Sequence, residues 1–234
     1  MFHSYGRVDL SWLPQFLPYN PVIVEAGALY GNETLRAAQI WPKARVIAFE
    51  PNPHAFLKLR KNVLESGSQN IEIHNLALSN HNGSAPFYIC YGMRGEDPVF
   101  EYASSLLHLT PEMQVYCKGP QVQVPCVILD DWCEQNEIDH VDLLRIELEG
   151  MELAVLKSSP DLLNTVKVIY VKTFNHPHRV GMAQYHELKA FLEKSRFVLL
   201  SHWYQTEITG HAIFLSREIF DAYFKLSLGI YLGV

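Results

Sequence analysis

The sequence predicts an α/β fold: a doubly wound, seven-stranded sheet, mostly parallel, with the last strand antiparallel and helices on both faces. Three observations predict it. From Pro21 onward, short apolar runs alternate with amphipathic stretches of about 10–15 residues, the rhythm of a parallel sheet with crossover helices. Glycines and carboxylates collect directly after several of the apolar runs. The last two runs are separated by Glu207–Gly210, a hairpin connection, and a hairpin makes its second strand antiparallel to its first.

Taken in order, Val22–Ala26 is a short apolar run closed by Gly27 and reads as a buried parallel strand. Asn32–Trp41 carries Leu35, Ala38 and Ile40 at near-helical spacing, and Pro42 stops it. Arg45–Glu50 is the next strand. Pro53–Gly67 is a helix with Phe56, Leu59, Val63 and Leu64 on one face, and Ile71–Leu78 a third strand. From Ser79 to Cys133 glycine and proline break the rhythm. Ser84–Tyr91 and Gln121–Ile128 alternate as a small antiparallel pair, and Gly92–Gly119 between them reads as a long functional excursion. Leu129–Glu137 is then a short helix, Val141–Leu148 a strand, Met151–Ser158 a helix, Val166–Phe174 a strand and Met182–Ser195 a helix. Phe197–Tyr204 and His211–Ser216 close the sheet. The whole chain, 1–234, is expected to be one domain with an N-terminal segment 1–20 and an insertion or cap at about 80–128.

A content of 48% hydrophobic and 19% charged residues excludes disorder and coiled coil. A formal charge of −6 argues against a nucleic-acid binder, which needs a basic face. Met1–Asn20 lacks the basic start and clean apolar run of a secretory signal, so a cytoplasmic protein is expected. No stretch approaches the ~18 apolar residues of a spanning helix. Asp221 and Lys225 interrupt the apolar tail Ile219–Val234, which is expected to dock as a helix or to serve as a homo-oligomer contact. Cys90, Cys117, Cys126 and Cys133 form no CxxC pair, and all four are expected to be reduced and partly buried.

In such sheets ligands bind beyond the carboxyl ends of the strands. After the first strand comes Glu25-Ala26-Gly27-Ala28-Leu29-Tyr30-Gly31-Asn32, whose two glycines allow a tight turn and a close backbone approach. The spacing is GxxxG, so the dinucleotide fingerprint GxGxxG is missing, which counts against an NAD enzyme. After the second strand comes Glu50-Pro51-Asn52-Pro53. Glu50 stands where a carboxylate can accept both hydrogen bonds of a ribose diol, or where it merely supplies charge near a helix N-terminus. The fourth main strand ends Arg145-Ile146-Glu147-Leu148-Glu149-Gly150, with Glu152 in the first turn of the next helix. Residues two apart share a strand face, so Arg145, Glu147 and Glu149 are expected on one side. Such a charge cluster marks a site more often than a core.

Glu25–Gly31, Ala48–Pro53, Asn75–Ser79, Leu129–Asp131 and Val141–Glu152 occur in this order, and together they resemble the FkbM-type methyltransferases. That resemblance runs from about Pro21 to Phe174. It implies the class I methyltransferase fold, a Rossmann-like sheet, and S-adenosylmethionine as cofactor. It also implies that Gly27, Ala28, Tyr30, Gly31 and Asn32 wrap the amino-acid end of the cofactor, with Glu25 near its ammonium group. Glu50, followed by Pro51 and Asn52, would hold the ribose, and the turn containing Ala77 and Leu78 would border the adenine. Ser104 and Ser105 fall where the family often has a serine-containing loop near the cofactor, and by the same resemblance Glu147 would lie close to the cofactor's methionine part and to the acceptor. The family commonly has Asp at position 25, Lys-Ile-Asp at 145–147 and Glu at 172, where this chain has Glu25, Arg145-Ile146-Glu147 and Lys172.

The activity implied is methyl transfer to a hydroxyl of a sugar or natural-product small molecule. An alcohol needs a base within reach, and the candidates are Glu147 and Glu149, then His176 and its neighbour His178. The spacing of Glu147, Glu149 and His176 does not define a metal site, and none is expected. A non-catalytic S-adenosylmethionine-binding or scaffold protein is the alternative, and an NAD-dependent oxidoreductase a distant third.

Overall fold

Alternate residues of each central strand fall into two separate apolar clusters, one on each face of the main sheet. Val24, Ala26, Leu144, Ile146, Ile169 and Val171 belong to one cluster. Ile23, Leu143, Val168, Tyr170, Ile213 and Leu215 belong to the other. This period of two is what a pleated strand buried on both sides requires. Each fully buried Leu, Ile or Val contributes about 1.5–3 kcal/mol relative to exposure. The computed structural model that shows this describes residues 10–92 and 98–231. The expected N-terminal segment before Leu10, the excursion at 93–97 and the tail beyond Tyr231 lie outside the described residues.

In chain order the elements are β1 (Val22–Ala26), α1 (Asn32–Ile40), β2 (Arg45–Phe49), α2 (Pro53–Ser66), β3 (Ile71–His74), β4 (Ala77–Leu78) and β5 (Gly83–Tyr88). There follow β6 (Gln121–Val127), α3 (Leu129–Gln135), β7 (Leu143–Ile146), α4 (Glu152–Ser158), α5 (Pro160–Leu163) and β8 (Val168–Phe174). Last come α6 (Tyr185–Lys194), β9 (Phe197–Tyr204), β10 (Thr209–Ser216) and α7 (Arg217–Tyr231). The main sheet has seven strands in the order β3-β2-β1-β7-β8-β10-β9. β10 runs antiparallel to both neighbours and the other pairs are parallel, as the sequence predicts. The chain leaves the β3 edge and returns at β7 beside β1, so the order reverses between β1 and β7. That switch point is where a crevice opens in a doubly wound sheet.

Trp132, Leu153, Leu156, Leu188 and Leu192 cover the first face of the sheet. A 3-10 turn at Leu10–Phe16, α1 and α7 cover the second through Leu13, Ala37, Ala38, Ile219 and Phe220. The C-terminal helix therefore docks on the sheet at its start. Among the described residues, no helix is long and apolar enough to cross a membrane.

Four expectations are corrected. The single strand expected at Ile71–Leu78 is two, because Asn75 turns its amide onto Glu50 O (2.8 Å) and Pro51 O (3.2 Å) and interrupts the ladder. β4 then joins a second sheet, ordered β4-β6-β5. The helix expected from Met182 starts at Tyr185, where the Glu187 carboxylate accepts the Gln184 N–H at 2.9 Å and caps it. β7 ends at Ile146, and Glu149 has a φ of +53°, so the strand alternation does not reach it. Finally, the four thiols are not all reduced. Cys90 and Cys117 form a disulfide at the neck of the excursion, while Cys126 and Cys133 are free and buried. The neck continues the β5–β6 ladder through Tyr91 N–H to Lys118 O (2.8 Å) and Lys118 N–H to Gly92 O (2.9 Å), which brings the two cysteines together.

Candidate functional site

The apolar columns on the second face of the sheet end, at the carboxyl edge, in a row of charges. Glu25 pairs in register with Arg145, and Arg145 with Tyr170. Two residues further along, Lys172 stands opposite His211. The same period of two that makes the apolar columns thus aligns these polar ends on four adjacent strands.

Arg145 is the centre of the row. Its Nη1 donates to Glu25 Oε1 at 2.5 Å, its Nη2 to Glu147 Oε1, and its guanidinium lies 5.1 Å from the Tyr170 ring. Thr34, at the start of α1, donates to the other Glu25 oxygen. His211 Nε2 stands 3.5 Å from Glu147 Oε1. Burial raises the pKa of Glu25 even against Arg145 and Thr34. Burial works the same way on Glu147, but Arg145, His211 and Lys172 outweigh it and hold that carboxyl well below the usual range.

Glu149 has left the strand and faces Lys172 Nζ and, at 3.8 Å, His178 Nε2. Burial opposes its ionisation, yet Lys172, His178 and Arg179 hold it at about 2. Glu152 accepts the N–H groups of Leu148 and Gly150, both at 2.9 Å, and so closes the turn after β7. Burial, helped by Glu149, pushes Glu152 to about 7. Glu152→Ala strands two inward-facing N–H groups, so we expect a loss of about 2 kcal/mol. Thermal melting should show it as a drop of roughly 4–8 °C.

The turn after β1 is shaped by close packing. Gly27 and Ala28 N–H both donate to Phe49 O, at 2.9 and 3.0 Å. Gly27 has a φ of +83°, and a Cβ there would stand 2.1 Å from the Glu147 carbonyl oxygen. Leu29, at φ +52°, is a non-glycine residue in the left-handed region, where its N–H reaches Glu50 Oε2 at 2.7 Å. Asn52 N–H takes the other Glu50 oxygen at 2.8 Å. Asn52 also caps α2, accepting the His54 N–H at 3.1 Å. Glu50 is buried, and burial, partly offset by those two N–H groups, pushes its pKa to about 8.

A cleft of about 600 Å³, counting its open mouth, lies at this edge. Gly27, Leu29, Glu50, Pro51, Ala77 and Leu78 form its floor. Phe87, Glu101, Tyr102, Ser104 and Leu106 form a roof, and Glu147, Leu148 and Met151 close one end. Among the described lining residues three side chains are carboxylates and none is basic. These acceptors suit a ligand carrying positive charge and hydroxyls. Among the described residues, no group of three or more His, Cys, Asp or Glu is placed to hold a metal ion.

Of the sequence-predicted residues, Gly27, Glu50, Pro51, Ala77, Leu78 and Glu147 meet in the cleft. Glu25 lies behind Glu147 in the charge row. Ala28 packs against Leu59, Gly31 begins α1, and Asn32 is exposed. Tyr30 turns its hydroxyl to Glu101 at 2.6 Å. Ser105 donates to Glu149 O at 3.0 Å and accepts the Leu107 N–H, so it ties the roof to the turn after β7, and Ser104 is the serine that lines the cleft. Glu149 is buried under Lys172, and His176 is exposed outside the cleft. Sequence reasoning missed Glu101 and His211. A histidine in the otherwise apolar run His211–Leu215 was the available signal for the second, and no local pattern marks the first.

The methyltransferase FkbM domain family matches residues 25–199. The 2-O-methyltransferase NoeI of Sinorhizobium fredii is 28% identical over 157 residues, 65% of this chain and 63% of that protein. Methyltransferase sdnD of Sordaria araneosa is 27% identical over 161 residues, 60% of this chain and 61% of that protein. The chain thus spans a little over three fifths of the length of these curated relatives. Among solved structures, a methyltransferase FkbM from Methylobacillus flagellatus superposes with a TM-score of 0.54 at 13% identity, over 84% of this chain and 44% of that one. TrmK of M. capricolum, solved with S-adenosylhomocysteine, gives a TM-score of 0.50 at 11% identity, over 89% of this chain and 67% of that one. The two structures share the fold, and the family match covers most of the chain and every described residue that lines the cleft: this protein belongs to the methyltransferase FkbM domain family.

Proposed function

We propose that this chain transfers the methyl group of S-adenosylmethionine to a hydroxyl of a sugar or natural-product small molecule. The observation that carries the reading is the convergence of Glu50, the Gly27 turn and Glu147 in one acidic cleft at the switch point of the sheet. The name 2-O-methyltransferase, borne by a relative, supports oxygen as the acceptor atom.

When bound, S-adenosylmethionine supplies an electrophilic methyl group on a sulfonium. Glu50 would hold the ribose hydroxyls, the Gly27 turn and the carboxylate row would receive the cationic end, and the Ala77–Leu78 segment would border the adenine. Glu147 accepts a hydrogen bond from the acceptor hydroxyl and orients its oxygen. As the O–C bond forms and the methyl–sulfur bond breaks, leaving a neutral thioether, the hydroxyl would become strongly acidic and its proton would pass to Glu147. A carboxylate kept ionised by Arg145, His211 and Lys172 is a weak base, and a weak base suffices for so acidic a proton. Of the three candidates Glu147 lines the cleft and Glu149 and His176 do not, which supports Glu147 for this role.

Calorimetric titration with S-adenosylmethionine tests the reading, with NAD as the control. Glu50→Ala should weaken the cofactor roughly tenfold to a hundredfold, as expected for loss of hydrogen bonds to a charged group. Unchanged affinity would remove the ribose role. The pH dependence has a definite sign. Glu50 titrates near 8 in the folded protein, above its ordinary 4.5, and a cationic, diol-bearing ligand favours the ionised form. Binding below pH 8 should therefore release a proton, and affinity should rise with pH and level off above about 8. Titrations in buffers of different ionisation enthalpy read that proton directly. Turnover of labelled S-adenosylmethionine with a panel of hydroxylated acceptors separates an enzyme from a binding protein.

A further inference from the structure

Glu101 is a carboxylate that the reaction does not use, with a side chain fully shielded from solvent. It stands on the 3-10 turn Pro98–Ala103, in the roof of the cleft. One of its oxygens accepts the Tyr30 hydroxyl at 2.6 Å and has Lys58 Nζ at 3.7 Å. The other meets His54 Nδ1. Lys58 also donates to the Tyr30 hydroxyl at 3.3 Å and lies 4.4 Å from its ring. Tyr30 belongs to the turn after β1, and His54 and Lys58 to α2, so these contacts join the roof to the floor side of the cleft.

The rest of the roof is anchored at the opposite end. Arg179 donates to the carbonyls of Leu107, at 2.7 Å, and Ala103. Ser105 donates to Glu149 O, and Tyr88 and Ser105 exchange backbone hydrogen bonds at 2.8 and 3.1 Å. Residues 103–107 are thus fixed to the turn after β7 and to the loop after β8. The turn carrying Glu101 reaches across the cleft from that fixed end. Both oxygens of Glu101 are taken by protein partners.

We propose that Glu101, gripped by Tyr30, His54 and Lys58, is a latch that must release for S-adenosylmethionine to enter or leave the cleft. This rests on the cofactor reading above. The latch is a positioning device, because its contacts are between protein groups. Contacts that involve no ligand atom would be the same with the cleft filled or empty and would then cancel from the dissociation constant. They do not cancel from the rates, since opening precedes both entry and exit.

The test is surface plasmon resonance with S-adenosylmethionine on the wild type, E101A and Y30F. Charge-assisted hydrogen bonds of this kind set opening equilibria by a factor of roughly ten or more. In each variant the association and dissociation rate constants should therefore both rise about tenfold, and in Y30F, which leaves every lining carboxylate in place, Kd should change less than about threefold. The E101A/Y30F double variant should be no faster than the faster single one, because both cut the same latch. Loss of a direct ligand contact would raise the dissociation rate alone, and a purely structural role would lower the melting temperature and leave association unchanged. Either result overturns the latch. Should E101A fail to fold, Y30F, which removes one oxygen, carries the test. A wild-type protein that binds no S-adenosylmethionine overturns the cofactor reading and the latch with it. A wild type that binds, with variants of unaltered rates, sinks the latch alone.

Discussion

Arg145→Met should cost the fold about 3–5 kcal/mol at neutral pH, the usual penalty for leaving a buried charge without its partner. The guanidinium holds two carboxylates, Glu25 and Glu147, which are 3% and 24% exposed. Met keeps the apolar stem against Tyr170 and removes the charge. Without Arg145, burial dominates at both carboxyls, and the folded-state pKa values move up from where the guanidinium keeps them. The sign of the pH effect follows. In the wild type the depressed Glu147 pKa contributes stability that is present above its ordinary 4.5 and is lost as pH falls through the folded value. In the variant that contribution is gone, and protonating the two carboxyls in acid relieves the deficit. Urea denaturation at pH 7 and pH 5 should show the gap between wild type and variant narrowing in acid. A gap below about 1 kcal/mol, equal at both pH values, would show that the charge row contributes little.

Gly27→Ala should be as damaging, for a steric reason. The added methyl would stand 2.1 Å from the Glu147 carbonyl oxygen and 3.1 Å from its carbon, and the φ of +83° disfavours any side chain. β1 and β7 must then move apart where Glu147 N–H donates to Ala26 O at 3.0 Å. Overpacking and left-handed backbone together cost roughly 3–5 kcal/mol, and melting should fall by about 10 °C. Cofactor binding should be lost as well, because the shift opens the floor of the cleft. Gly67→Ala is the internal control: its φ of +69° is similar, but an added Cβ meets nothing within 4 Å. It should cost only about 1 kcal/mol. Equal losses at the two positions would show that backbone conformation, and not the approach of β7, explains the glycine.

The strands around the switch point were legible because their information is local. A run such as Val22–Ala26 is short and almost wholly apolar, with a glycine after it and a helix start beyond that. The same locality exposed Glu50 and Glu147, each an acidic residue at the carboxyl end of an apolar strand. It failed one turn later. Glu149 was assigned the face of Glu147 by alternation, but the backbone leaves the strand after Ile146 and delivers that carboxylate to Lys172. The third strand misled in the same way. Ile71–Leu78 is uniformly strand-like in composition, and the Asn75 side chain, bonding to a turn 24–25 residues earlier, divides it between two sheets.

By itself, then, the sequence determined the seven-stranded order of elements, the two buried faces and two carboxylates of the cleft, Glu50 and Glu147. Each follows from periodicity or from what stands directly after a strand. The tertiary structure alone decided which charge meets which. Arg145 reaches Glu25 across 120 positions, Tyr30 reaches Glu101 across 71, and Cys90 joins Cys117 across 27. Such pairs depend on where the chain returns after a crossover or an excursion, and the lengths of the connections leave that open. Glu50, Glu147 and the capping segment were visible in the one dimension, and the contacts of Glu101 with Tyr30, His54 and Lys58 exist only in three.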